Sequence, residues 1–156
     1  MNKILITSFA LFLSAGCASK GIIENFKQSN YNEKMINNYQ KKSIISELET
    51  KVVISTVYMN KVEDINASKD RFLISLYIQN DFYEKKRAGM FNKHLNITLK
   101  DQNATHIEEV DDEHPFFPKL PLYTKWSRYY LVDFNATTPK ILNIQYLDYQ
   151  KISIQY

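Results

Sequence analysis

Seven short stretches after Thr50 alternate apolar and polar residues with a period of two, and this limits the chain more than any other feature. A period of two sends successive side chains to opposite faces of a strand, so each stretch has one face to bury. Residues 51–60 put Val52, Ile54, Thr56 and Tyr58 on one face, and residues 71–79 put Phe72, Ile74, Leu76 and Ile78 there. Residues 91–100 offer Leu95, Ile97 and Leu99, and 105–110 form a shorter segment. In 126–134, Trp126, Arg128, Tyr130, Val132 and Phe134 oppose Ser127, Tyr129, Leu131 and Asp133. Leu142, Ile144 and Tyr146, then Ile152, Ile154 and Tyr156, complete the series. The pattern predicts a mostly β domain over 50–156, an antiparallel sandwich of about seven strands with immunoglobulin-like architecture. Trp126 reads as a core anchor of its strand rather than as a ligand platform.

Before Thr50 the chain is polar. Ile22 with Phe26, and Tyr31, Met35 and Tyr39, follow helical i, i+4 spacing, with Ser29 or Asn30 placed to cap the second group. Residues 17–49 read as a tether with marginal helix; as coil, about 30 residues would span roughly 30 Å. Two loops exceed a tight turn. Asn80 to Gly89 holds Lys85, Lys86 and Arg87, a solvated basic cluster that could also touch anionic headgroups. Asp111 to Lys125 holds Pro115, Pro118 and Pro121, which bars it from central strand pairing.

The N-terminus carries Lys3, an apolar run from Ile4 to Leu13, and small residues ahead of Cys17. That is the grammar of a secretory signal, and the run falls short of the roughly 20 apolar residues of a spanning helix. Leu13-Ser14-Ala15-Gly16-Cys17 resembles the lipobox of bacterial lipoproteins. The resemblance implies removal of residues 1–16, thioether acylation and palmitate-type acyl chains on Cys17, and anchoring of the mature chain to a membrane. Ala18 follows the cysteine, which by the sorting pattern of enteric lipoproteins implies the outer membrane of the cell envelope. Cys17 is the only cysteine in the sequence, so it has no partner for an internal disulfide.

A second motif recurs three times: Asp64-Ile65-Asn66-Ala67-Ser68, Asp101-Gln102-Asn103-Ala104-Thr105 and Asp133-Phe134-Asn135-Ala136-Thr137. It resembles the acid-extended sequon of bacterial N-glycosylation, which implies glycan acceptance at Asn66, Asn103 and Asn135 in a host with the transferase. Asn96 has His94 in the acid position and departs from that pattern. The three sequons fall in expected inter-strand loops. If every strand crosses the sandwich and reverses, they share one pole, opposite Lys51, and the tether enters from the Lys51 pole.

The run His106-Ile-Glu-Glu-Val-Asp-Asp-Glu-His114 could bind a divalent cation through His106 and His114. It lacks the spacing of known metal motifs and reads first as a solvated acidic loop. No Gly-x-Ser-x-Gly, His-Glu-x-x-His or Ser-x-x-Lys pattern occurs, and 3 glycines are too few for a phosphate-cradling loop. A formal charge of +3 is too mild to imply nucleic acid. The expectation is a lipid-anchored, non-catalytic binding or structural domain without a cofactor. Its partners would be the membrane and an envelope protein docking on a strand edge or the Pro-rich loop. Metal binding at His106 and His114 is the remaining alternative.

Overall fold

The computed structural model describes residues 18–63, 68–81 and 87–156, with side chains from residue 27 onward. The chain divides into two compact units, residues 1–33 and 34–156. The described part of the first is helix, the opening of α1 (Ala18–Asn37). Lys34 complements the dipole in the last turn of α1, and Asn38 ends it by donating from both its backbone N–H and its Nδ2 to the Lys34 carbonyl, at 3.2 and 2.9 Å. No helix among the described residues is long and apolar enough to cross a membrane.

The second unit is an antiparallel β-sandwich. Its strands are β1 (Tyr39–Ser46), β2 (Glu49–Tyr58), β3 (Lys69–Ile78), β4 (Leu95–Leu99), β5 (His106–Glu109), β6 (Arg128–Asn135), β7 (Ile141–Tyr146) and β8 (Ile152–Gln155). One sheet has the order β1-β2-β3-β6-β5 and the other β4-β7-β8. With β1 set aside, this is the strand order of a constant-type immunoglobulin domain. No disulfide joins the sheets. Ile54, Phe72, Ile74, Tyr130, Val132 and Phe134 of the first sheet pack with Ile97, Leu99, Leu142, Ile144 and Ile154 of the second. Phe72 lies at the centre, its ring 5.0 Å from Tyr58, 5.8 Å from Phe134 and 5.5 Å from Tyr156. These are the inward positions that the alternation predicts.

The structure corrects the sequence reading in three places. Tyr39–Ser46, expected as tether, is an edge strand: Ile44 enters the core, and backbone pairing with β2 carries the otherwise polar segment. There are therefore eight strands among the described residues rather than seven. Trp126 is not a core anchor. β6 begins at Arg128, and the indole, 61 % exposed, belongs to the preceding loop. The point of entry also changes. Tyr39 pairs with Val57, and Lys69 with Asn135, so the chain enters the sandwich at the pole that holds Asn135, not at the Lys51 pole. One added strand reverses the parity of the path.

Candidate binding groove

The outward face of the five-stranded sheet carries a row of paired residues, Lys41–Ser55–Ser75–Tyr129, running across β1, β2, β3 and β6. Ser55 and Ser75 are directly opposed. Two small side chains side by side leave the sheet surface low there, while Tyr39 and Tyr77 rise around them. The Tyr39 hydroxyl donates to Ser55 Oγ at 2.7 Å and fixes that side of the floor.

The Pro-rich segment between β5 and β6 forms the opposite wall. Pro118 sits in a single 3-10 turn over Phe117–Lys119, and the segment returns past Pro121. Tyr129 holds it in place: its hydroxyl oxygen accepts the Thr124 backbone N–H at 2.6 Å, and its ring stacks on Tyr123 at 5.7 Å. Tyr123 in turn meets the edge of Phe117 at 5.2 Å. Burial is the main cause that raises the Tyr129 pKa, so the phenol stays neutral. A loop clamped by three packed rings is a wall rather than a loose segment.

Between wall and floor lies a half-open groove of about 770 Å³, lined by Tyr39, Lys41, Ser55, Tyr77, Leu122 and Trp126 among others. The volume falls within the roughly 300–1,000 Å³ of small-molecule sites. Leu122 is 64 % exposed and holds φ +50°, a left-handed conformation costly for a leucine. Lys125 Nζ stands 4.9 Å from the centre of the Trp126 ring.

The sites expected from the sequence lie elsewhere. Cys17, Asn66, Lys85 and Lys86 fall outside the described residues. Asn103 and Asn135 are both exposed, at the pole opposite Lys51, as expected. Thr105 of one sequon donates its N–H to the carbonyl of Asp133 in the other, at 2.7 Å. Asp133 itself is 2 % exposed and paired with Arg71, whose guanidinium holds the carboxyl below its usual range. His106 and His114 approach the same carboxylate, Glu108, at 3.9 and 3.0 Å. His114 Nδ1 accepts the Phe116 N–H at 3.0 Å, which leaves the proton of the neutral ring on Nε2, facing Glu108. No group of three His, Cys, Asp or Glu among the described residues is arranged to hold a metal ion.

A polar cluster that sequence reasoning missed closes the sequon pole. Buried Asp70 accepts the Tyr58 hydroxyl at 2.7 Å, the Thr137 N–H at 3.0 Å and Lys140 Nζ at 2.8 Å. Burial, then the bond to Asp70, raises the Tyr58 pKa. With every partner satisfied, the cluster has the character of a structural clasp. The groove was likewise missed, because its floor depends on which serines end up opposed. Comparison with known protein families, curated proteins and solved structures returns no match.

Proposed function

We propose that the chain is a lipoprotein of the cell envelope, anchored through acyl chains on Cys17, and that its sandwich is a non-catalytic binding module. The groove beneath the Pro-rich loop is the binding site. The supporting observation is the make-up of that groove: rings, hydroxyls and an ammonium group on a rigid sheet, closed by a pinned wall. Such groups orient and hold a ligand. Asn66, Asn103 and Asn135 carry glycans where the host supplies the transferase. Ala18 after the cysteine favours the outer membrane as the address.

Two experiments test this reading. Cys17→Ser is expected to abolish palmitate labelling and release the chain from membranes; labelling that persists defeats the anchor. A photo-cross-linking residue at position 122, in intact cells, is expected to give a discrete adduct that the same residue at exposed position 100 does not. Equal adducts at both positions, or none, defeat the groove as a binding site. A second reading, an envelope protein docking on the loop, is favoured by the exposure of Leu122 and Tyr123. The mass and protease sensitivity of the adduct separate the two occupants.

A further inference from the structure

The geometry points to a carboxylate-bearing oligosaccharide as the occupant of the groove. This inference rests on the groove being the binding site. At Ser55 and Ser75 its floor is the face of a sheet and not an edge. The backbone groups of β2 and β3 are engaged by strands on both sides, β1 with β2, β2 with β3, and β3 with β6. An incoming peptide cannot add to them as a further strand. Recognition must come from side chains, and the polar ones are hydroxyls: Ser55, Ser75, Thr124 and Ser127.

A saccharide matches that surface on each of its aspects. Its hydroxyl edge exchanges hydrogen bonds with a floor of serines, leaving few polar groups unpaired. Its C–H face packs against the rings of Tyr39, Tyr77 and Trp126. A half-open groove of about 770 Å³ has room for more than one sugar ring.

The sign of the charge follows from the lining. Among the described residues Lys41 is the one charged residue in it, and Lys125 adds a second ammonium group at the rim, over Trp126. No carboxylate among the described residues of the lining balances them. A ligand with carboxylates supplies the missing charge, as a uronic acid unit does, and a basic or cationic ligand is repelled.

Trp126 is the only tryptophan in the chain, so its emission reports on the groove in the intact protein. The test titrates the full chain, in detergent micelles, with oligogalacturonate, with neutral malto-oligosaccharide and with a proline-rich peptide. The expected result is a saturable change in Trp126 emission with oligogalacturonate, at least about tenfold tighter than with the neutral sugar. Lys41→Glu is expected to weaken it by about tenfold or more. Ser75→Leu, which fills the floor, is expected to abolish it. Lys41→Glu alters an exposed side chain and keeps the test decisive if Ser75→Leu misfolds. No response to either sugar overturns the proposal, as does a sugar response that both variants leave unchanged. A saturable response to the peptide alone also overturns it, while leaving the groove as a binding site. Silence towards all three probes, with no adduct at position 122, defeats both readings.

Discussion

Asp133 and Arg71 face each other across β3 and β6 in a two-pronged ion pair, Nε to Oδ1 at 2.6 Å and Nη2 to Oδ2 at 2.9 Å. Asp133 is also the acidic residue of the Asn135 sequon. Both of its carboxylate oxygens are therefore engaged, and the side chain is buried. Asp101, the acid of the Asn103 sequon, is exposed together with Asn103. On the folded chain we predict that Asn103 is glycosylated ahead of Asn135. Site-resolved mass spectrometry of folded protein treated with an acid-dependent oligosaccharyltransferase measures this. Asn135 occupied as fast as Asn103 would refute the ordering.

The same ion pair links stability to pH. The Arg71 guanidinium depresses the Asp133 pKa, so folding favours the ionised carboxyl. That contribution is complete above the unfolded value of about 4 and disappears as pH falls through the lower, folded value. Urea midpoints should therefore drop steeply below about pH 4, and Asp133→Asn should flatten that drop. Arg71→Ala leaves the buried carboxylate only the longer contact to Lys69 Nζ, 3.9 Å away; with Arg71 itself 35 % exposed, the cost should sit at the low end of such losses, about 3 kcal/mol. A variant as stable as the parent at neutral pH would show that Lys69 or water replaces the guanidinium.

Much of the sandwich was legible because burial on one face imposes a period of two, and Phe72, Ile74, Leu76 and Ile78 display it without interruption. β1 was not legible, since only Ile44 among its residues reaches the core and the others are held by backbone bonds that leave no mark on composition. Its turn gives no signal either. Glu47 and Leu48 take φ of 52° and 64°, where a two-residue hairpin ordinarily announces itself with Asn-Gly. Trp126 misled because it extends the alternation of β6 by two residues ahead of the point where the strand begins. The groove was hidden for a different reason. Ser55 and Ser75 look like ordinary outward residues until the register of β2 on β3 sets them side by side.

The register of β6 on β3 places Tyr129 opposite Ser75, and its hydroxyl can be removed on its own. Tyr129→Phe deletes the acceptor of the Thr124 N–H while keeping the ring stacked on Tyr123. The expected loss is about 1 kcal/mol of stability. A larger effect is expected locally: lower Trp126 fluorescence anisotropy and faster cleavage within 111–127. Unchanged anisotropy would mean that the stacked rings alone hold the wall.

Gly89 offers the sharpest test of the packing around Tyr130. Its φ is +61°, and a Cβ built there would lie 2.0 Å from the Tyr130 hydroxyl oxygen, 2.9 Å from Tyr130 Cζ and 3.0 Å from Arg128 Cδ. Asp81 fixes the turn, accepting the Gly89 N–H at 2.6 Å and the Asn92 side-chain amide at 3.0 Å. Tyr130 cannot retreat, because its ring is wholly buried between the sheets and meets the edge of Phe91. Gly89→Ala therefore adds steric overlap to the ordinary cost of a left-handed alanine, about 1–2 kcal/mol, for a total of about 3 kcal/mol. Tyr130→Phe removes the atom nearest the new methyl. In that background the same glycine substitution should cost about 1 kcal/mol less, a coupling that a double-mutant cycle in urea reads directly. Strict additivity of the two changes would show that backbone strain at position 89, and not contact with Tyr130, makes the glycine necessary.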